Sequence, residues 1–174
     1  MYTSKDLLFK KAELDDVMEF KSLKDESWMM THQKSILNQS DQVVWFESFD
    51  KDPHCPKNLI LSVFEPKESR LVGCYKILHI DYINRSADVG WDLLKNLRGK
   101  GLGKPIVAGG ANFCFDILGL RRLNAEILDT NIPSQKCAEA AGFVLEGTKR
   151  EAVHKPDGFV GSQIWGFLNS ERKV

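Results

Sequence analysis

The chain has 174 residues, the size of one compact domain, and 43% of them are hydrophobic, which is too many for a disordered chain. Its 24 Lys and Arg residues balance 24 Asp and Glu residues, which argues against a broad DNA- or RNA-binding surface, and no apolar run reaches the roughly 18 residues of a membrane-spanning helix. We therefore expect one domain over residues 1–174, cytoplasmic, without nucleic-acid or membrane partners.

The N-terminal part predicts a strand followed by two helices. Residues 7–12 predict a short strand, and the helical spacing of Leu14 and Val17, with acidic Asp15 and Asp16 in the first turn, predicts a helix. Ser40 or Asp41 is a candidate cap for a second helix, which Pro53 would end. Residues 24–40 carry no clear pattern.

Next come elements of a sheet. Three consecutive strands are predicted over residues 58–64, 71–80 and 87–93, joined by turns. A helix, a strand, a shorter helix and a final hairpin follow, over residues 104–118, 123–127, 134–141, 143–152 and 159–168. The helix between two of the strands implies a parallel crossover. We expect an α/β (α+β) fold with a mixed, mostly antiparallel sheet and helices on both faces.

The four cysteines are too scattered to predict a special site. Cys55, Cys74, Cys114 and Cys137 form no CxxC pair, so they indicate neither a zinc knuckle nor a disulfide framework. We expect reduced thiols and no metal.

A glycine-rich loop over residues 98–104 lies between a strand and a helix. Gly99, Gly101 and Gly103 permit backbone conformations that other residues avoid, and a helix N-terminus attracts phosphate. Pro105 stands where a Walker A loop needs Ser or Thr, so nucleotide hydrolysis is excluded. The spacing also departs from the dinucleotide fingerprint, although Asp129 after the next strand keeps a nicotinamide-cofactor domain as an alternative.

The loop resembles a known family. Arg98-x-x-Gly101-x-Gly103 resembles the pyrophosphate loop of the GCN5-related N-acetyltransferases (GNAT), and Asn131-x-x-Ser134 with residues 139–147 resembles the motif that follows it. Residues 87–91 are similar to the strand before the loop in the ribosomal-protein acetyltransferase (RimJ/RimL-like) branch. The resemblance covers residues 71–168 and implies a single acetyltransferase domain that uses acetyl-coenzyme A.

The resemblance also implies a cofactor site. The strands on either side of the loop and its helix would splay apart, and the pantetheine arm would pair with exposed backbone in the gap. A bulge at Gly90 would turn an N–H toward the thioester oxygen. The implied cofactor-binding residues are Trp91, Asp92, Leu93, Arg98, Gly99, Lys100, Gly101, Leu102, Gly103, Lys104, Asn131 and Ser134.

Candidate catalytic residues follow from the same motifs. Many family members carry a thiolate-protonating Tyr where this chain has Ala138, which leaves the Ser134 hydroxyl as the candidate, with a helix N-cap as its other role. For the base we favour Asp88 over Glu126 and His79, and a water relay is an alternative to any direct base. Cys137 lies in the motif helix, but core packing is the better interpretation.

The acceptor is expected to be a primary amine, on a protein N-terminus or a small molecule. Trp28, Trp45, Phe46 and His154 are candidate substrate-binding residues, because the resemblance places their segments around the acceptor cleft. Amino sugars and polyamines are alternative acceptors, and a non-catalytic coenzyme A-binding module is an alternative function. We expect a monomer or a homodimer.

Overall fold

The computed structural model describes residues 1–4, 6–27, 38–47, 52, 54–67 and 69–172. The strands are β1 (Tyr2–Ser4), β2 (Leu7–Lys11), β3 (Leu59–Glu65), β4 (Arg70–Asp81), β5 (Ser86–Leu93), β6 (Arg122–Leu128), β7 (Val144–Lys155) and β8 (Gly158–Leu168). The helices are α1 (Leu14–Ser27), α2 (Gln39–Glu47), α3 (Gly103–Asp116) and α4 (Ile132–Ala141). No helix among the described residues is long and apolar enough to cross a membrane.

One sheet holds the eight strands in the order β1-β2-β3-β4-β5-β6-β8-β7. All neighbours pair antiparallel except β5 and β6, which pair in parallel, with α3 in the connection between them. The predicted mixed sheet and its single crossover are therefore confirmed. β1 was not predicted, because three residues of mixed polarity carry too little periodicity to identify a strand.

The larger hydrophobic cluster lies between the sheet and α3. Tyr75 and Ile77 of β4 and Val107 of α3 are fully buried in it. Two helix glycines permit this contact: a Cβ at Gly109 would lie 2.5 Å from the Phe9 ring, and one at Gly110 would overlap the Tyr75 ring. The close approach of helix and sheet therefore requires glycine at both positions.

The second cluster covers the opposite face of the N-terminal half of the sheet. Val17 and Phe20 of α1 pack there on Ile60, Leu71 and Cys74. Because successive strand residues point to opposite faces, Cys74 and Tyr75 belong to different clusters. Helices therefore lie on both faces, as predicted.

The start of α2 differs from the prediction. The side-chain oxygen of Asn38 accepts from the backbone N–H of Asp41 at 2.8 Å, so Asn38 caps the helix, and neither Ser40 nor Asp41 does. Gln42 is buried, and its side-chain amide donates to the Val17 carbonyl oxygen at 3.1 Å, which joins α2 to α1.

Candidate active site

A gap opens between the two parallel strands. The β5–β6 ladder covers only Ser86 to Asp88 opposite Arg122 to Asn124, although β5 continues to Leu93 and β6 to Leu128. Beyond Asp88 and Asn124, each strand keeps only its antiparallel partner on the far side. Two backbone edges therefore face a V-shaped gap, and an extended chain could add hydrogen bonds there as a strand does.

Trp91, Asp92 and Leu93 lie on the unpaired part of β5. The Trp91 ring stacks on Tyr75 at 6.4 Å and also contacts Phe143, so it anchors this strand on the α3 side. The predicted bulge at Gly90 is wrong: Gly90 stays in register with Lys76, and the irregularity lies between Leu78 and Asp81 of β4. The φ of Gly90 is not positive either, so this glycine does not form a glycine (G1) bulge.

The glycine loop forms the open end of the gap. Gly99 and Gly101 have φ of 75° and 81°, and a Cβ at either position would meet open space. Arg98 donates from Nε to the Leu93 carbonyl oxygen at 3.2 Å, which ties the loop to the end of β5. No side chain caps the 14-residue helix α3 at Leu102. Its first N–H groups and the positive end of its dipole are therefore available to an anion.

Gly103 has a different role from the other loop glycines. A Cβ there would lie 2.5 Å from the Cys137 sulfur, so Gly103 permits α3 to pack on α4. Burial raises the pKa of the Cys137 thiol, which makes it a poor nucleophile near neutral pH. This geometry agrees with a packing role for Cys137.

The first turn of α4 lies beside the same opening, directly after β6. Asn131 caps this helix, because its Oδ1 accepts from the Ser134 N–H at 3.3 Å, so the alternative role of Ser134 as the cap is wrong. The half-buried Ser134 hydroxyl has no hydrogen bond among the described residues. Gln135 donates to the carbonyl oxygens of Leu128 and Asp129, both at 3.0 Å, and so holds α4 against the end of β6.

On the face opposite α3, a polar network crosses the closed end of the gap. Asp88 is 53% exposed and lies 2.9 Å from Nδ1 of His79, and it also accepts from the Asn124 side chain at 3.3 Å. Asn124 accepts in turn from Nε of Arg122 at 2.7 Å, and Arg122 pairs with Glu146. Side chains from four strands thus meet where β5 and β6 separate.

Two further ion pairs flank this network. Glu126 pairs with Lys149 at 2.5 Å and accepts from the Ser162 hydroxyl at 3.2 Å. Lys76 pairs with Asp92 at 2.7 Å, and their side chains are only 19% and 15% exposed. Burial alone would lower the pKa of Lys76, but Asp92 and Cys74 outweigh that effect and raise it. Lys76 belongs to no sequence motif, so no sequence pattern indicated this pair; the β4–β5 register brings Lys76 to Asp92.

The candidate acceptor residues are not brought together. Trp28 lies outside the described residues. Trp45 and Phe46 are half-buried and pack on the second cluster, whereas exposed His154 contacts the Phe159 ring at 5.0 Å near the tip of the β7–β8 hairpin. That tip extends past Leu128, which pairs with Ser162, and so lies toward the open end of the gap. The described residues contain no group of three or more His, Cys, Asp or Glu side chains that could hold a metal.

Comparison with known proteins agrees with this geometry. Residues 6–144 match the family model described as "Acetyltransferase (GNAT) domain". The chain is 28% identical over 120 residues to the spermidine N(1)-acetyltransferase of Vibrio cholerae serotype O1 (strain ATCC 39315 / El Tor Inaba N16961). This match covers 63% of this chain and 69% of the relative. The chain is 24% identical over 182 residues to the probable N-acetyltransferase YjcK of Bacillus subtilis (strain 168), a match that covers 98% of both chains.

A solved structure shares the whole fold. The crystal structure of a Vibrio cholerae spermidine N-acetyltransferase in complex with CoA and spermine superposes with a TM-score of 0.87 at 19% sequence identity. The match covers 97% of this chain and 98% of the other.

Proposed function

The chain belongs to the GNAT acetyltransferase family, and from that premise we propose that it transfers the acetyl group of acetyl-coenzyme A directly to a primary amine of a polyamine. The gap between β5 and β6, which ends at the glycine loop, is the observation that carries the proposal. Similarity to a spermidine N(1)-acetyltransferase favours a polyamine over the protein N-terminus that the sequence resemblance suggested first. We also propose that residues 1–174 form one acetyltransferase domain.

The cofactor would enter from the α3 side. Its pyrophosphate fits the loop of residues 98–104, where Gly99 and Gly101 leave open space and the start of α3 supplies uncapped N–H groups. Exposed Lys100 and Lys104 add positive charge near these groups. The pantetheine arm would then lie in the gap and pair with the backbone of Trp91, Asp92 and Leu93.

The reaction needs a neutral amine and a stabilised leaving thiolate. The amine nitrogen attacks the thioester carbonyl carbon, a C–N bond forms, and the C–S electron pair leaves on sulfur. We propose that the Ser134 hydroxyl donates to that sulfur, because it lies in the first turn of α4 with no other partner among the described residues. Asn131 would hold this turn in place, and Asp88, where the ladder ends, would serve the removal of the amine proton.

The acceptor would approach from the face opposite α3. Asp88, Asn124 and Glu126 lie on that face, and Asp129 follows β6 toward the open end of the gap. A polyamine carries several ammonium groups, and each of these can form a charge-assisted hydrogen bond with a carboxylate. We propose that Trp45, Phe46 and His154, although they lie on separate elements, contact the outer part of the acceptor; Trp28, outside the described residues, stays a prediction from the sequence.

A binding assay and an acceptor panel test this proposal. Acetyl-coenzyme A should raise the melting temperature and NADH should not, because only a ligand of the native state stabilises it. Thiol release should then be fastest with spermidine or spermine, compared at equal concentration with glucosamine and an N-terminal tetrapeptide. Fastest turnover of the tetrapeptide would refute the polyamine proposal, and a melting shift with NADH alone would refute the acetyltransferase site.

A protein N-terminal amine is the second candidate. The pattern of residues 87–91, typical of the ribosomal-protein acetyltransferase branch, favours it. The pH profile separates the two, since an α-amine has a reference pKa of about 7.7 to 8.0, whereas an alkyl amine such as that of Lys titrates near ~10.4. Activity with a polyamine should still rise at a pH where activity with an N-terminal amine has reached its plateau.

A further inference from the structure

His79 has an unusual backbone conformation within the sheet. Its φ is 50°, in the left-handed region that residues other than glycine seldom adopt. The β4–β5 register shifts here, with Leu78 opposite Asp88 but Asp81 opposite Ser86, so His79 and Ile80 form a bulge. Such a conformation persists only where its surroundings hold it, and at functional sites it often aims a side chain.

The segment before β3 holds this bulge in place. The His79 N–H donates to the Asn58 side chain at 3.0 Å, and the Ile80 N–H donates to the Lys57 carbonyl oxygen at 2.8 Å. The Tyr82 hydroxyl adds a bond to the Pro56 carbonyl oxygen at 2.9 Å. These three hydrogen bonds thus hold the strained bulge at His79 and Ile80, and the bulge sets the direction of the imidazole.

The bulge brings the imidazole to Asp88. Nδ1 of His79 lies 2.9 Å from one Asp88 oxygen, and the other oxygen accepts from the Asn124 side chain at 3.3 Å. A carboxylate beside Nδ1 holds the proton on that nitrogen, so the lone pair of the neutral ring lies on Nε2. The imidazole side chain is 76% exposed, and Nε2 has no partner among the described residues.

The pair lies on the acceptor side of the gap. Asp88 belongs to the last residue pair of the β5–β6 ladder. Its neighbours Ala87 and Val89 are buried in the larger hydrophobic cluster on the α3 side, so the Asp88 side chain points to the opposite face. Charged residues on the elements around the pair include Asp81 and Lys76 on β4, Asp92 on β5, Glu126 on β6, Lys57 before β3, and Arg122, which reaches Asp88 through Asn124 and pairs with Glu146.

We propose that Nε2 of His79 is the general base that accepts the proton of the acceptor amine, and that Asp88 is its positioning partner. The inference rests on the proposed acetyl transfer and deepens the role of Asp88 there. As the C–N bond forms and the C–S bond breaks, the amine proton moves to Nε2, while Nδ1–H stays bonded to Asp88. The resulting imidazolium is stabilised by the carboxylate and returns its proton to solvent.

His79→Asn tests the proposal with little disturbance of the fold. Asn tolerates positive φ, and its side-chain amide can donate to Asp88, but it has no basic nitrogen. With spermidine at pH 7, kcat should fall about 100- to 10,000-fold. The ratio of wild type to variant should shrink as the pH rises, because hydroxide can then take the proton in place of the missing imidazole. The melting shift with acetyl-coenzyme A should not change.

His54→Asn is the matched control, since His54 is exposed in the segment before β3 and bonds Asp52 only through its backbone N–H. It should keep wild-type kcat at every pH. A His79→Asn variant that keeps kcat at pH 7, or loses the same factor at every pH, would overturn the base assignment.

Two further measurements test His79 where the variant does not fold or where the acceptor is not a polyamine. If His79→Asn does not fold, a bisubstrate analogue of coenzyme A and spermidine should shift the imidazole NMR signals of His79 in the wild type and leave those of His54 unchanged; an unmoved His79 signal would refute the contact. If the wild type acetylates the tetrapeptide or glucosamine but no polyamine, the polyamine proposal fails, and the His79 comparison is made with that acceptor.

Discussion

The two sides of the gap between β5 and β6 are built from different parts of the chain. On the α3 side, the loop of residues 98–104 is one continuous segment whose proposed role in cofactor binding depends on backbone: positive φ at Gly99 and Gly101, and uncapped N–H groups at the start of α3. On the other face, the polar network consists of side chains from four strands, spread between His79 and Glu146 along the chain. The proposed cofactor site thus depends on local backbone, whereas the proposed acceptor face depends on strand register.

The largest effect should come from breaking the loop. Gly101→Val places a β-branched side chain at φ 81° and fills the open space beside the backbone. We expect acetyl-coenzyme A to bind at least about 100-fold more weakly, a loss of about 2.7 kcal/mol, by isothermal titration. Gly147→Val is the control, because a Cβ there also meets open space but φ is not positive. Equal affinity in the Gly101 variant and the wild type would refute the loop assignment.

Ser134→Ala tests the one side chain that we assign to the leaving group. Loss of a donor to a developing anion should lower kcat roughly 10- to 1000-fold and leave the affinity for acetyl-coenzyme A unchanged. Because Asn131 caps α4, the melting temperature should also stay the same. Asn131→Ala is the contrast: it removes the cap and should cost about 1 kcal/mol of stability by urea unfolding. A wild-type kcat in Ser134→Ala would refute the proposed catalytic role of Ser134.

Lys76→Met probes the acceptor face through stability. It leaves the Asp92 carboxylate mostly buried and without its cation, which should lower the free energy of unfolding by about 1 to 3 kcal/mol at pH 7. Asp92→Asn, which keeps a polar partner for Lys76, is the milder companion variant. Urea unfolding at several pH values measures both differences.

The pH dependence of that stability has a definite sign. The pKa of Lys76 is raised in the folded protein, above the reference of about 10.4 expected when unfolded. The stabilisation that Lys76 gains from its ion pair with Asp92 is therefore fully present below about pH 10, and it declines as the pH rises from there toward the folded-state pKa. A difference in the free energy of unfolding between wild type and Lys76→Met that stays constant from pH 7 to pH 11 would contradict the ion-pair explanation.

Much of the fold was predictable from sequence, because strand alternation, helical spacing and turn residues are local. The position of the glycine loop between β5 and α3 could also be predicted, since its motif is contiguous, whereas its role in cofactor binding stays a proposal; α4 begins at Ile132, two residues before the predicted start. The polar network was not: the contact of His79 with Asp88 requires a bulge, and a shift of one residue changes which face every side chain occupies. The role of Gly103 was missed for a similar reason, because its contact with Cys137 joins two helices that no local pattern relates.

Gly103 differs from the other glycines of the loop, because it packs against Cys137 of α4. Gly103→Ala forces a Cβ against the Cys137 sulfur, and we expect a loss of about 1 to 3 kcal/mol in stability by urea unfolding, with a smaller loss of cofactor affinity than in Gly101→Val. The double variant Gly103→Ala/Cys137→Ala should recover part of that stability, because the sulfur is gone. A double variant no more stable than Gly103→Ala alone would show that the contact does not set the cost.

The smallest effect should come from Cys137→Ala alone, which tests direct transfer. Burial raises the pKa of this thiol and keeps it protonated near neutral pH, so the acetyl group should pass from coenzyme A to the amine in a ternary complex. Initial-rate plots should intersect, kcat should stay within about threefold of wild type, and incubation with radiolabelled acetyl-coenzyme A without acceptor should leave no label on the protein. Parallel plots with a stoichiometric label that disappears in Cys137→Ala would instead make Cys137 the nucleophile. That result would also change the meaning of the close approach at Gly103, since the thiol beside the loop would then be a reacting group rather than a packing contact.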